Sequence, residues 1–136
     1  MQYIQDREIT EIIIHCSATK EGLDIKAHNI DMWHRRRGFR KIGYHYVIDL
    51  DGTVEKGRPL WEIGAHCKDH NAQSVGICYI GGLDRKGFPK DTRTKEQKVA
   101  LRELVRELKL RFPQATIHGH NEFARKACPC FPMRAL

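Results

Sequence analysis

The stretch His120-Asn121-Glu122-Phe123-Ala124-Arg125-Lys126-Ala127-Cys128-Pro129 offers an imidazole, a primary amine and a thiol within nine residues. A second imidazole stands far upstream, where Ile12-Ile13-Ile14 runs into His15. Two imidazoles and one thiolate are three ligands of the kind that hold zinc, and a zinc site that keeps its fourth position for water is a catalytic one. Distance along the chain is no objection, since zinc ligands often come from separate segments. Taken singly, a His after an apolar strand more often serves structure, and so does a buried Cys. Spacing alone therefore allows a metal site without specifying one.

For these side chains to meet, the segments that carry them must lie side by side. Glu8 to Ile14 predicts a short buried strand by its Ile content, with His15 where that strand should leave the core. Asp24 is a candidate cap for a helix from about Ile25 to Arg37, with Ile30, Trp33 and Ala27 on its inner face and Gly38 ending it. Tyr44 to Asp49 alternates like a strand, and Asp51-Gly52 signals a two-residue hairpin turn into Thr53-Val54-Glu55. Ser74 to Ile80 is the most apolar segment and predicts a central strand, closed by Gly81-Gly82; loop chemistry fills Asp84 to Asp91.

Thr94-Lys95-Glu96-Gln97 reads as a capping box, in which hydroxyl and amide each satisfy an orphan backbone N–H. The helix behind it puts Leu101, Leu104, Val105 and Leu108 on one stripe and stops before Pro113. Ala115 to His118 predicts a last strand that delivers His120 just past its end. Strands interspersed with helices predict an α/β fold: a single domain over residues 1–136 with a central mixed β-sheet flanked by α-helices.

Bulk properties are compatible with this. A chain of 136 residues buries roughly two-thirds of its unfolded surface. With 40% hydrophobic and 30% charged residues it is ordinary for a globular protein. No apolar run approaches the ~18 residues that span a membrane, and residues 1–8 lack a signal-peptide core, which predicts cytoplasmic synthesis. The five cysteines, at 16, 67, 78, 128 and 130, are odd in number and read as reduced thiols, Cys78 as a small buried hydrophobe. The charge of +7, with a run at Arg35-Arg36-Arg37, favours a polyanionic partner, although a solvated helix face accounts for that run equally well.

Five motifs in register make the pattern specific: Ile14-His15-Cys16-Ser17-Ala18-Thr19, Gly43-Tyr44-His45-Tyr46, Gly64-Ala65-His66, Ser74-Val75-Gly76-Ile77-Cys78, and His120-Asn121-Glu122 with Lys126-Ala127-Cys128-Pro129. From about Ile12 to Phe131 the chain resembles the type 2 N-acetylmuramoyl-L-alanine amidases, the family shared with peptidoglycan recognition proteins. Its nearest likeness is to the small bacteriophage zinc amidase called a lysozyme.

The resemblance implies one Zn²⁺ held by His15, His120 and Cys128, with Tyr44 and Lys126 as catalytic side chains and His66 as a substrate-binding residue. It also implies hydrolysis of the amide between the lactyl group of N-acetylmuramic acid and L-alanine in peptidoglycan. The enzyme would be a phage-type endolysin released by a holin, with a secretion-system effector or a cytoplasmic recycling enzyme acting on imported fragments as the other settings the sequence allows. A monomer is expected. Cys130 stands where relatives often carry a small hydroxyl residue, so either thiol might be the ligand; the Lys-Ala-Cys-Pro register favours Cys128. Pro132 also departs from the pattern, and the chain ends at Leu136 without the helix that follows in the phage relative, which leaves the support of the Cys128 loop to be found.

His45 adjoins Tyr44 on the expected strand and so faces away from it. His28, His34, His70 and His118 have no comparable support. Three other readings compete. A non-catalytic peptidoglycan-binding module would keep the fold, but such proteins typically replace the thiol ligand. A basic nucleic-acid or RNA polymerase-binding protein is not supported by the matched motifs. A cysteine peptidase pairing Cys16 with His15 is disfavoured because neighbours on a strand point to opposite faces; a Cys128–His120 pair is geometrically possible.

Overall fold

The computed structural model describes residues 7–136, so the expectation for the first residues lies largely outside it. Among the described residues seven strands are present: β1 (Glu11–Cys16), β2 (Thr19–Lys20), β3 (Tyr46–Ile48), β4 (Val54–Lys56), β5 (Ser74–Tyr79), β6 (Gly82–Leu83) and β7 (Thr116–Gly119). Two helices, α1 (Ala27–Arg36) and α2 (Lys95–Arg111), complete the framework. Five strands form one sheet in the order β4-β3-β5-β1-β7, parallel except for the antiparallel β3–β4 hairpin. The short β2 and β6 pair separately.

The apolar runs become the inner strands because both faces of the sheet are covered. On one face Ile12, Ile14, Val75, Ile77 and Tyr79 pack against Leu101, Leu104, Val105 and Leu108 of α2, the stripe legible in the sequence. Each such burial typically contributes about 1.5–3 kcal/mol. On the other face Val47, Cys78 and Ile80 meet Ile30 and Ile42, with Trp33 and Tyr44 at the margin. Side chains alternate along β1, so Ile12, Ile14 and Cys16 face α2 while Ile13 and His15 face α1. The capping box of α2 forms as expected: Gln97 N–H donates to Thr94 Oγ1 at 3.0 Å, and Thr94 N–H to Gln97 Oε1 at 2.9 Å.

Four local expectations need correction. β1 starts at Glu11 and continues through His15, because β5 supplies partners as far as Tyr79 opposite Cys16. Asp24 does not cap α1; Lys26 N–H donates to the Asn29 side chain, and Ala27 N–H to Glu55 Oε2, each at 2.9 Å. Tyr44 and His45 precede β3 instead of opening it. The hairpin turn takes three residues, Leu50-Asp51-Gly52, since Asp49 N–H donates to Thr53 O at 2.9 Å; Gly52 takes a φ of +89°, the left-handed conformation this turn requires.

Candidate active site

The parallel register places His15 near the carboxyl end of β1, 1% exposed, on the α1 face of the sheet. β7 delivers His120 immediately beyond its last residue, opening a single 3-10 turn, His120–Glu122. β7 pairs with β1 only as far as Gly119 opposite Ile14. The next N–H on that side of β1, that of Cys16, therefore lacks a strand partner. It donates instead to Cys128 Sγ at 3.2 Å. One donor atom each from His15, His120 and Cys128 then lies within 4.8 Å of the others, with the imidazole centroids of His15 and His120 4.5 Å apart.

Electrostatics favours lone pairs over protons at the two imidazoles. Burial, then the nearby His66, His120, Lys126 and His34, hold His15 well below the usual histidine range. Burial and the Lys126 charge lower His120 as well. Two neutral imidazoles and a sulfur are a donor set that suits zinc and leaves a fourth position free.

Cys130 is not in this cluster. Its φ of +69° turns the side chain toward Cys16, with 3.9 Å between the sulfurs. The Cys128 loop is held by contacts within the described residues. Tyr79 Oη donates to Pro129 O at 2.7 Å, the Arg93 guanidinium lies 3.4 Å from the Phe131 ring centroid, and Arg93 Nη2 donates to Ala135 O at 3.2 Å.

One of the three donor residues, His120, lines a cleft of about 520 Å³ together with His34, Tyr44, His66, Phe123 and Lys126 among others. The Tyr44 ring sits 5.1 Å from His15, and burial, with the thiols of Cys78, Cys128 and Cys16 nearby, pushes its phenol well above the ordinary range. Lys126 is exposed on the rim. His66 reaches His15 directly, Nδ1 to Nε2 at 2.8 Å.

His45 stays out of the cleft: its Nδ1 accepts from Gly76 N–H at 3.0 Å and its Nε2 donates to Glu62 O at 2.8 Å. Cys16 packs into the α2-side core, which removes it from any nucleophilic partnership with His15. Of the arginine run, Arg35 pairs with Asp31 at 2.8 Å, while Arg37 lies over Phe39 and edges the cleft.

Sequence reasoning passed over His34 and Phe123. His34 is buried, its Nδ1 accepts from Gly43 N–H at 2.9 Å, and its ring meets Tyr44 at 5.4 Å, so it helps to seat that tyrosine. The available signal was its place four residues after Ile30 on the inner face of α1. Phe123 stacks on His70 at 3.8 Å and forms a cleft wall; nothing in its spacing marked it.

Comparison with known proteins gives a consistent result. The endolysin of Klebsiella phage KP32 is 42% identical over 134 residues, covering 98% of this chain and 89% of its own. The solved N-acetylmuramoyl-L-alanine amidase LysC from Clostridium intestinale superposes with a TM-score of 0.81 at 27% identity, over 95% of this chain and 83% of that one. Drosophila peptidoglycan recognition protein LB follows with a TM-score of 0.78 at 25% identity, over 91% and 76%. The pattern of the Amidase_2 family, N-acetylmuramoyl-L-alanine amidase, matches residues 5–131, and the chain belongs to that family.

Proposed function

We propose that this chain is a zinc-dependent N-acetylmuramoyl-L-alanine amidase of endolysin type, one catalytic domain over residues 1–136. It cuts the amide between the lactyl group of N-acetylmuramic acid and L-alanine in peptidoglycan. The observation that carries this reading is the meeting of His15, His120 and Cys128 beside a cleft that His120 lines together with Tyr44 and Lys126. Zinc held by those three residues would supply Lewis acidity and make hydroxide available near neutral pH.

The chain's own groups do the rest. The Lys126 ammonium, exposed on the rim of the cleft, stabilises negative charge growing on the scissile carbonyl oxygen in this reading, a contribution typically of about 3–4 kcal/mol. Tyr44, held as a phenol, orients the attacking water and donates toward the departing amine. His66 forms part of the surface against which the substrate lies. Donors and cleft all come from one chain, which supports action as a monomer. Synthesis in the cytoplasm, followed by release through a holin or a secretion system, completes this reading.

Digestion of purified sacculi with mass analysis tests it. The expected products are peptides with a free L-alanine amino terminus, lost on chelation and restored by zinc. Sacculi that release no such peptides from zinc-loaded protein defeat the proposal.

A further inference from the structure

The ring of His66 is held more firmly than a groove-lining side chain requires. Besides the 2.8 Å contact of its Nδ1 with His15 Nε2, its Nε2 lies 3.2 Å from Ser74 Oγ. The two imidazoles meet edge to face, 4.9 Å between centroids at 89°. The backbone is shaped around this ring. A Cβ at Gly76 would come within 2.6 Å of His66 Cγ and Cδ2, and one at Gly64 within 2.8 Å of Cδ2. The turn that carries His66 is fixed in turn, since His66 and Cys67 N–H both donate to Asn71 Oδ1 at 2.9 Å. Ser74 is fully buried as the first residue of β5.

Ser74, His66 and His15 form a hydrogen-bonded chain that can run in two directions. Suppose the Ser74 hydroxyl donates to His66 Nε2. His66 then donates from Nδ1 to His15 Nε2, and a neutral His15 must carry its own proton on Nδ1. No ring nitrogen of His15 would be left with a free lone pair. In the opposite direction His15 donates from Nε2 to His66 Nδ1, and His66 donates from Nε2 to Ser74 Oγ. His15 Nδ1 is then free. A ligating imidazole must be neutral and must offer a lone pair, so only the second direction is compatible with a metal.

We propose that His66 and Ser74 are positioning residues that fix the ring orientation and tautomer of His15, so that Nδ1 is the atom offered to zinc. This rests on the zinc reading above. It gives His66 a duty toward the metal ligand in addition to its place on the cleft surface. Partners that hold the second nitrogen of a ligating His typically account for 10–100-fold in metal affinity.

The test is competition for zinc between the full-length protein and a chromogenic chelator, for wild type, His66→Ala, His66→Asn and Ser74→Ala. His66→Ala is expected to weaken zinc binding 10–100-fold, and Ser74→Ala several-fold. His66→Asn, whose side-chain oxygen can accept near the position of Nδ1, should recover most of the loss. Should the alanine variants not fold, ¹⁵N spectra of the zinc-loaded wild type give the same answer: His15 protonated on Nε2 supports the assignment, and protonation on Nδ1 overturns it. Unchanged zinc affinity in His66→Ala with a raised KM for muropeptides would leave His66 a substrate contact only and overturn the assignment alone. A wild type that binds no zinc would remove the underlying reading as well.

Discussion

Asp49→Asn should stabilise this protein, and more so as the pH rises. Asp49 follows β3 at 2% exposure, and its Oδ1 is buried without a hydrogen-bond partner among the described residues. Burial, then the adjacent Glu55 carboxylate, pushes its carboxyl up from 3.8 to about 7. Lys26 Nζ, 3.6 Å from Oδ2, offsets this only in part. Between pH 4 and 7 the native state thus keeps a proton that the unfolded chain has lost, and stability falls as pH rises through that window. A shift of about three units has a ceiling of about 4 kcal/mol. Rearrangement of Lys26 around the ionised pair recovers some of it, so we expect a gain of about 2 kcal/mol for Asp49→Asn at pH 8.

In a domain of this size that gain amounts to roughly 6–10 °C in Tm. It should shrink to about 2 °C or less at pH 4.5. Thermal unfolding followed by circular dichroism at both pH values, always as variant minus wild type, cancels contributions common to the two proteins. Asp51→Asn is the control: its carboxylate accepts from Thr53 N–H and already sits below the ordinary range, so its variant should show no gain that grows with pH. A stabilisation by Asp49→Asn of equal size at both pH values, or a loss at pH 8, would refute the charge argument.

Further outcomes follow from the site and the core. Cys128→Ser should abolish stoichiometric zinc binding, measured by metal analysis, while Cys130→Ser retains it. Lys126→Ala should lower kcat/KM about 10²–10³-fold with zinc content unchanged. Leu101→Ala, at a fully buried position on α2, should cost about 2–5 kcal/mol in denaturant unfolding. Burial holds His45 neutral down to about pH 4, so acidification from 6.5 toward 4 should remove stability at about 1.4 kcal/mol per pH unit for this group. A urea midpoint that changes with pH identically in wild type and His45→Gln over that range would contradict it.

What could be read from sequence was mostly local. The Thr94–Gln97 capping box and the leucine stripe of α2 need only neighbours three and four residues away, and both formed as expected. The donor residues were legible because five short motifs stood in order. What failed depended on distant partners. The first N–H of α1 is satisfied by Glu55, which lies on β4, and no local rule could place it there. β1 extends through His15 because β5 is long enough to pair with it, a fact of register and not of composition. The separation of Cys128 from Cys130 depended on a left-handed φ at Cys130 and on where β7 stops, neither of which is written in a thiol.

The early end of β7 has a temporal consequence. Cys16 and Cys128, joined by an N–H···S bond, are 112 positions apart, and the sulfur takes the place that a longer strand would have filled. A ribosome must therefore add 112 residues after Cys16 before the sulfur that accepts its N–H exists. Copies truncated between His120 and Cys128 would hold two imidazoles and an unfilled backbone edge, and on the proposed zinc reading would lack the third ligand. On the proposed zinc reading, the site is complete only once the segment that carries Cys128 has folded back beside β1.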